Sequence, residues 1–480
     1  MKMIKENCLF STFFLFCLLM IVPLRTTFAN LKVNSMFGDN MVLQRDDKVT
    51  IWGTDKPGQI VTISFNGQEK SSTADNQGKW VVILDPMKAG GPFKMTVKGS
   101  DSTVKFKNVM VGDVWLCSGQ SNMAFSFKDP QSGSILVNNA DEAFKVADKL
   151  PDIRLFYIDK LSGYSQEPQY EAKGSWEVCS SKAIERFSAV AFFFGWELKK
   201  STLKDIPIGL IDSSVGATGA EMWISKESLQ ANFDMKELRN GPFGHPISGC
   251  YDGMVNPVIP YGIKGVIWYQ GESNAYKPDQ YRKLFPLLME EWRNKWNRKD
   301  LPFLFVQLAN FAEPFDNPPV TFIELRESQL YVWKTVPNTG MVVAIDIGDS
   351  KDVHPKNKKD VGYRLALFAK GIVYGENIVY SGPVYDHMKI ENNQIRLYFT
   401  YIGGGLKDKN GGFLKDFKIA GSDGVFKDAE GIIDGDTVVV RSKEVQNPLY
   451  VRYAYDADPV VELYNVDGLP ASPFRTDSKL

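Results

Sequence analysis

The middle of the chain, from about residue 109 to residue 375, alternates compact apolar runs with longer amphipathic segments. The apolar runs are short enough to be buried strands and comprise residues 206–211, 265–269, 303–306 and 341–345. The segments between and beside them have the length of helices and comprise residues 188–200, 279–296, 320–335 and 360–374. This alternation predicts a parallel β-sheet flanked by helices, with ligands bound at the carboxyl ends of the strands.

The regions before and after this core have a different sequence pattern. Before residue 109, short strand-like runs alternate with turns such as Asn66-Gly67, which predicts a small β-sandwich. After about residue 376 strands and turns return, for example at 394–399 and 436–441. We therefore expect three folded regions: an N-terminal β-sandwich over 30–108, an α/β core over 109–375 and a C-terminal β-rich domain over 376–480.

The first 29 residues have the pattern of a secretory signal peptide. Lys2 and Lys5 precede an apolar stretch from Leu9 to Leu24, and Thr27-Phe28-Ala29 offers a small-x-small cleavage site. The apolar stretch is too short and too interrupted for a membrane anchor, and no other segment approaches the roughly 20 apolar residues of a membrane span. The sequence therefore predicts a soluble exported protein, located in the periplasm or outside the cell.

Composition excludes several kinds of function. The 56 basic and 57 acidic side chains nearly cancel, so the chain has no global field that would attract nucleic acid. The expected mature chain keeps three cysteines, Cys117, Cys179 and Cys250. They show no C-x-x-C spacing, so we expect no zinc site and at most one disulfide. With three histidines in the chain, a histidine base must be His245, His354 or His387.

Four blocks of unusual residues follow strand-like runs in the core: residues 114–123, 213–218, 269–274 and 352–355. The first block contains Ser121. A serine at such a turn can attack a substrate carbonyl while its own backbone N–H faces the developing oxyanion. A serine that merely caps the next helix looks the same in sequence. Catalysis by Ser121 therefore needs a base from another block.

His354 is the favoured base. It follows the apolar run 341–345 and precedes a helical segment, so it can reach Ser121 as base if both loops lie at the same sheet edge. His245 lies in a Gly-Pro-rich loop and His387 in the C-terminal β region, so both are expected to be bystanders.

A carboxylate should orient the imidazole, and donors should face the oxyanion. Glu272, at the end of the run 265–269, is the favoured carboxylate, and Asp352 is the alternative. The candidate oxyanion donors are the backbone amides of Ser121 and Gly216 and the side chains of Gln270 and Asn274. Loss of one such donor typically costs about 3 to 4 kcal/mol of transition-state stabilisation. Gly216 and Asn274 also suit ordinary turns.

Three of these blocks closely resemble the sialate O-acetylesterase family of the SGNH hydrolase superfamily. The resemblance lies in residues 112–123, 266–274 and 352–358, and it extends to 451–455 and 468–475. It implies an SGNH-type, flavodoxin-like three-layer core, with Ser121 as nucleophile, His354 as base and Glu272 as supporting acid. Lys351 departs from the family pattern because an Asp commonly stands there. Residues 215–218 also depart, since Val-Gly-Ala-Thr replaces Trp-Gly-Gly-Thr.

The resemblance implies hydrolysis of an acetyl ester on a sugar or glycan through an acetyl-enzyme, without a metal or an organic cofactor. O-acetylated sialic acid is the expected substrate, and acetylated xylan or another polysaccharide is the alternative. Trp223 is a candidate to stack on a sugar, with burial as the alternative. Arg326 is a candidate for the sialate carboxylate, with a helix-surface salt bridge as the alternative. A carbohydrate-binding protein with an inactive hydrolase core is the reading from a different class.

Overall fold

The computed structural model describes residues 30–313 and 322–477. The expected signal peptide, residues 1–29, lies outside the described residues. None of the helices in the described ranges is both long enough and apolar enough to cross a membrane.

Eight strands form the N-terminal part: β1 (Lys32–Val33), β2 (Val42–Gln44), β3 (Val49–Thr54), β4 (Ile60–Phe65), β5 (Gln68–Thr73), β6 (Lys79–Leu84), β7 (Gly90–Lys98) and β8 (Thr103–Gly119). Strands β1, β3 and β6 form one antiparallel sheet, while β4, β5 and β7 join the sheet that contains β8. In β6 exposed and buried residues alternate, with Trp80, Val82 and Leu84 buried. Strand β6 therefore packs one face on the core, as the period of two predicts.

Strand β8 crosses the expected boundary between residues 108 and 109. Its first six residues alternate between exposed and partly buried positions, whereas its last eleven are all buried. The change in sequence pattern near residue 109 therefore marks the point where strand β8 changes from one covered face to two. The strand itself continues through this point. The N-terminal part and the core consequently share one hydrophobic core, which runs from Leu31 to Tyr464.

The core sheet adds six strands: β9 (Ile153–Tyr157), β10 (Trp176–Val178), β11 (Ile208–Ser214), β12 (Gly265–Tyr269), β13 (Phe303–Val306) and β14 (Thr339–Val342). Their order is β10-β9-β11-β8-β12-β13-β14. All neighbours on this path are parallel except the edge pair β9 and β10. The four apolar runs are thus confirmed as strands, although β14 ends at Val342 and the run continued to residue 345. The predicted parallel sheet is confirmed.

In the described part of the chain, eight α-helices accompany the sheet: α1 (Ser121–Ala124), α2 (Ala140–Ala147), α3 (Ser181–Ile184), α4 (Ala189–Lys199), α5 (Lys226–Asn232), α6 (Pro278–Lys295), α7 (Ile323–Thr335) and α8 (Lys358–Phe368). Phe194 of α4 packs on Trp115 of β8, and Phe285 of α6 packs on Trp268 of β12. Trp268 lies beside Ser118, three residues after Trp115, so the two tryptophans point to opposite faces. Helices therefore cover both faces of the sheet.

The C-terminal part is built from nine strands: β15 (Val384–Glu391), β16 (Gln394–Thr400), β17 (Leu406–Asp408), β18 (Leu414–Ala420), β19 (Lys427–Asp434), β20 (Thr437–Arg441), β21 (Tyr450–Tyr453), β22 (Leu463–Asn465) and β23 (Phe474–Arg475). Seven form an antiparallel sheet, and β17 pairs with β22. This part has its own small core, which includes Phe417 and Tyr453. The predicted β-rich region is confirmed.

Cys117, Cys179 and Cys250 are buried free thiols. No disulfide therefore joins any two of these three cysteines, although the sequence permitted one.

Candidate active site

Three parallel strands end level at one edge of the sheet. Gly119 of β8 lies opposite Ser214 of β11 on one side and Tyr269 of β12 on the other. Gly119 has φ +136°, and a Cβ atom there would lie 2.2 Å from the carbonyl oxygen of Tyr269. Only glycine fits such a close approach, which turns the chain out of the sheet just before Ser121. The strand-end blocks at 114–123, 213–218 and 269–274 are thus brought together.

Gln120 ties the first block to the third. Its side-chain Oε1 accepts hydrogen bonds from the backbone N–H groups of Gly271 and Ser273, at 3.4 and 3.2 Å. Its own N–H donates to the carbonyl of Tyr269. Gln120 is almost fully buried, so these bonds hold the turn that carries Ser121 against the end of β12.

Ser121 begins the short helix α1 and is partly exposed. A Cβ atom on Gly216 would lie 3.5 Å from the Cβ of Ser121, so the second block directly adjoins the serine. Within residues 30–313 and 322–477, no protein group hydrogen-bonds the Ser121 hydroxyl, and the N–H groups of Ser121 and Gly216 have no protein acceptor. The Ser121 hydroxyl and two backbone N–H donors without a protein acceptor therefore lie together at a partly exposed position.

The fourth block reaches the same edge. The side-chain amide of Asn122 donates to the carbonyl of Val353 at 3.0 Å. The ring of His354 stacks on Phe125 with centroids 5.5 Å apart, and its backbone N–H donates to Asp352 Oδ1 at 2.8 Å. His354 therefore sits close in the fold to the helix that Ser121 begins. In the described part of the chain, no hydrogen bond joins its ring to Ser121, Glu272 or Asp352.

Behind Ser121 lies a buried chain of three polar side chains, Glu272, Asn122 and Lys358. The Nδ2 of Asn122 donates to Glu272 Oε1 at 2.5 Å, and Lys358 Nζ donates to Asn122 Oδ1. The ammonium group of Lys358 also lies 4.7 Å from the centre of the Phe125 ring. Glu272 Oε2 is buried and accepts from no described residue. A buried acceptor atom that no longer bonds water lowers the stability of the fold unless a donor reaches it.

Burial and nearby charges shift the pKa values of Glu272, Lys358 and His354. Burial raises the pKa of Glu272, against the hydrogen bond from Asn122 and the charge of Lys358. Burial lowers the pKa of Lys358 to about 7, against the nearby carboxylates. Burial and the charge of Lys358 also lower the pKa of His354, against the opposing charge of Asp352. A histidine with a lowered pKa is neutral at pH 7 and can accept a proton.

Gln270 and Asn274 are tied into the protein. The Nε2 of Gln270 donates to Gln120 Oε1, to the carbonyl of Thr218 and to Asn274 Oδ1. Gln270 is fully buried, so its role is to join the blocks, which corrects the expectation of an oxyanion donor. The Nδ2 of Asn274 donates to Glu221 Oε2 at 2.8 Å and has a second hydrogen, so its oxyanion role stays a prediction.

The two expected sugar-binding residues do not face the site. Trp223 has 0% exposed surface, and its Nε1 donates to Thr218 Oγ1 at 3.0 Å, so it packs inside the protein. Arg326 is 1% exposed, and its guanidinium donates to the carbonyls of Asp456 and Ala457 at 2.9 and 3.0 Å. Arg326 therefore fixes the C-terminal part to the core. Both the sialate role and the surface salt bridge are wrong for Arg326, because helix α7 is buried at this position.

Asn122 and Lys358 were missed as site residues. Asn122 stands inside the first block, directly after Ser121, and Lys358 ends the range 352–358 that carries the family resemblance, four residues after His354. Polar residues at these positions were a usable signal. Their mutual contact spans 236 positions of sequence and follows only from the fold.

Comparison with known proteins identifies the class. A family described as carbohydrate esterase, sialic acid-specific acetylesterase, matches residues 111–369. Human sialate O-acetylesterase is 32% identical over 407 residues, which is 76% of each chain. The mouse enzyme is 30% identical over 433 residues, which is 76% of this chain and 78% of its own. A carbohydrate acetylesterase from Xanthomonas citri has a similar structure, with a TM-score of 0.84, 37% identity, and coverage of 93% of this chain and 99% of its own.

The fold, the partly exposed serine at the strand edge and these similarities define a carboxylic ester hydrolase of the carbohydrate esterase class. The chain belongs to the sialic acid-specific acetylesterase family. Its family resemblance, expected from the blocks around Ser121, Glu272 and His354, is thus confirmed.

Proposed function

We propose that this protein removes acetyl groups from O-acetylated sialic acid through an acetyl-enzyme formed on Ser121. The observation that carries the proposal is the convergence of the strand-end blocks on one partly exposed serine, Ser121. Hydrogen bonds through Asn122 connect the serine's helix to both Glu272 and the histidine block. The name of the family and the names of the human and mouse relatives supply the choice of sugar.

In the first half of the reaction, Ser121 Oγ attacks the acetyl carbonyl carbon while His354 takes the hydroxyl proton. The carbonyl oxygen becomes an oxyanion, which accepts from the N–H groups of Ser121 and Gly216, with the second amide hydrogen of Asn274 as a third donor. The tetrahedral intermediate then collapses. The bond from the acetyl carbon to the sugar oxygen breaks, and His354 gives its proton to that oxygen.

In the second half, water attacks the acetyl carbon of the acetyl-serine while His354 takes a proton from the water. Collapse of the second intermediate breaks the bond to Ser121 Oγ. The serine regains its proton from His354, and acetate leaves. The lowered pKa of His354 suits this cycle because the base must begin each half neutral.

Glu272 is proposed as the carboxylate that supports His354, with Asp352 as the alternative. Glu272 has a buried oxygen, Oε2, that lacks a donor, and an imidazole N–H would satisfy it. Asp352 Oδ1 is already occupied by the backbone N–H of His354. Each carboxylate thus has one oxygen that accepts from no described residue. Asp352 is partly exposed and water can reach it, whereas Glu272 Oε2 is buried and needs a protein donor. Hydrogen bonds of this kind often tighten only when substrate is bound.

Three further proposals concern the whole chain. Residues 1–29 are an export signal, so the enzyme acts in the periplasm or outside the cell. The core is an SGNH-type three-layer α/β domain, which the order of the parallel strands and the helices on both faces support. The chain divides by its sequence pattern into β, α/β and β parts near residues 108 and 375, with strand β8 and one hydrophobic core continuing through the first of these positions.

The function is tested by acetate release from a panel of substrates: O-acetylated sialic acid, acetylated xylan and other acetylated polysaccharides. We expect the purified enzyme to release acetate fastest from O-acetylated sialic acid, and Ser121→Ala to release it about 10⁵- to 10⁶-fold more slowly. Faster release from acetylated xylan would instead support the alternative, that the substrate is acetylated xylan or another acetylated polysaccharide. Equal release by both proteins, or none by either, would contradict the proposed esterase mechanism.

The charge of Lys358 gives a prediction for pH dependence. Because His354 must be neutral and its pKa is lowered, we expect the acidic limb of kcat/KM to lie below about pH 6.5, the ordinary histidine value. Lys358→Met removes one cause of that lowering, so the limb should move to higher pH. Lys356→Met, an exposed lysine two residues earlier, is the control and should leave the limb in place. An unmoved limb in Lys358→Met would contradict the account.

A further inference from the structure

A buried lysine and aspartate form an ion pair beside the second strand-end block, and the proposed mechanism does not use them. Lys160 Nζ lies 3.0 Å from Asp212 Oδ2. Asp212 belongs to β11, two residues before Ser214, which is the last residue of that strand. Asp212 is 0% exposed, and the side chain of Lys160 is mostly buried. Both charges are therefore held at the carboxyl end of β11, where the chain leaves the sheet.

The hydroxyl of Ser214 joins the ion pair to the end of the strand. Ser214 Oγ accepts from Lys160 Nζ at 3.2 Å and donates to Asp212 Oδ1. Lys160 Nζ donates to the other carboxylate oxygen, so the three side chains form a closed ring of hydrogen bonds. Ser214 is fully buried, and charge-assisted hydrogen bonds away from water are strong. The ring therefore fixes the side chain of the last residue of β11.

The end of β11 lies directly against the nucleophile turn. Ser214 is opposite Gly119, and the N–H of Val215 donates to the carbonyl of Gly119 at 3.1 Å. The next residue is Gly216, where a Cβ atom would lie 3.5 Å from the Cβ of Ser121. The N–H of Gly216 is one of the proposed oxyanion donors. A shift at the end of β11 would therefore move this donor relative to the acetyl carbonyl.

The segment that carries Lys160 packs against the same block. Lys160 begins the short helical turn Lys160–Tyr164, and its ammonium group lies 4.7 Å from the centre of the Tyr157 ring. Tyr157 is the last residue of β9, the strand beside β11. A Cβ atom on Gly163 would lie 2.9 Å from Val215 Cγ1, so the backbone of the turn touches the second block. The ion pair and the turn therefore support the start of this block together.

A buried ion pair is an inefficient way to stabilise a fold, because taking two charges out of water can cost as much as their attraction returns. Its place beside an oxyanion donor points to a different role. We propose that Lys160 and Asp212 are positioning residues, which fix Ser214 and thereby hold the N–H of Gly216 toward the oxyanion. The inference rests on the proposed function and adds to it the groups that keep one oxyanion donor in place.

The test measures kcat and KM with para-nitrophenyl acetate, an acetyl ester that needs no sugar site. We expect Lys160→Met to lower kcat about tenfold to a hundredfold with KM nearly unchanged, because a donor displaced by about 1 Å loses its effect in the transition state. Lys160→Arg keeps the charge and should recover part of the lost rate. The double variant Lys160→Met/Asp212→Asn leaves no unpaired charge in the interior. It should therefore fold even if Lys160→Met does not, and it should show the same loss of kcat.

Methylboronic acid supplies a readout that a purely structural role would not change. It adds to the serine hydroxyl and forms a tetrahedral anion that resembles the transition state of acetyl transfer. We expect its inhibition constant to rise in Lys160→Met by about the same factor as kcat falls, since both depend on the oxyanion donors. Thermal unfolding of every variant measures the separate effect on stability.

Lys199 provides the matched control, because it forms a buried pair with an aspartate beside the amino-terminal ends of β9 and β11. Lys199 Nζ lies 2.9 Å from Asp152 Oδ2, and the carbonyl of Asp152 accepts from the N–H of Ile208, the first residue of β11. Lys199→Met therefore removes a similar pair from the other edge of the sheet. It should lower the thermal midpoint and leave kcat and boronate binding unchanged.

Three results would overturn the positioning role while leaving the esterase mechanism intact. They are unchanged kcat in Lys160→Met, an equal loss of kcat in Lys199→Met, and a loss of kcat in Lys160→Met without weaker boronate binding. Wild-type enzyme that releases no acetate from any acetyl ester would instead overturn the proposed function. The two failures are therefore distinguishable.

Discussion

Ser121→Ala is expected to lower kcat for acetate release by about 10⁵- to 10⁶-fold, because the nucleophile is lost while the oxyanion donors remain. The backbone N–H groups of Ser121 and Gly216 survive the substitution, so a small residual rate and normal substrate binding should persist. The hydroxyl makes no hydrogen bond to the described part of the chain, so its removal should leave the thermal midpoint almost unchanged. Acetate release at saturating substrate measures the effect.

The matched control is Ser71→Ala, a serine on an exposed strand of the N-terminal part. It should retain full activity. A Ser121→Ala variant that keeps more than about a hundredth of the wild-type rate would show that another group attacks the ester, since removal of a true nucleophile costs far more.

Glu272→Gln is expected to lower kcat by about 10³- to 10⁴-fold, in the range found when the carboxylate of a catalytic triad becomes an amide. The substitution keeps the shape of the side chain and removes the charge that would stabilise a protonated His354. It also presents an amide N–H₂ where the carboxylate oxygens now accept, and one of those oxygens bonds Asn122 Nδ2. The imidazole would then lose its orientation as well as its counter-charge.

Asp352→Asn is the comparison that decides between the two carboxylates. Asn can keep the hydrogen bond that Asp352 Oδ1 accepts from the backbone N–H of His354, so we expect a loss of about tenfold or less. If Asp352→Asn is the more damaging substitution, Asp352 supports the histidine and Glu272 holds only Asn122 and Lys358. Circular dichroism and thermal unfolding of both variants separate loss of activity from loss of fold.

The sequence was a good guide wherever the fold is decided by local pattern. The apolar runs became parallel strands because a sheet covered on both faces needs continuous apolar segments. The blocks after those runs met at one edge because parallel strands end there together, with Gly119 opposite Ser214 and Tyr269. The site could therefore be located from strand ends before any contact was known.

The roles of single polar and aromatic residues were harder to predict, since they depend on partners far along the chain. Arg326 looked like a helix-surface residue, but the carbonyls of Asp456 and Ala457 bury it. Lys358 drew no expectation from the sequence, because its partner Asn122 lies 236 positions away.

The expected domain boundary between residues 108 and 109 is a second feature that the sequence pattern could not define. The change in pattern near residue 109 is real, but it lies inside the continuous strand β8. The pattern of apolar residues indicates how many faces of a strand are covered, but it does not indicate where the strand ends.

The central claim, that Ser121 is an activated nucleophile, is tested most directly by labelling with an organophosphate, which forms a stable ester with such a serine. Mass spectrometry of the digested protein then locates the phosphoryl group. We predict that loss of activity follows modification of the peptide containing Ser121 one for one, that O-acetylated sugar slows it, and that His354→Ala reacts far more slowly. Complete inactivation with Ser121 unmodified, or full activity with Ser121 modified, would contradict the account.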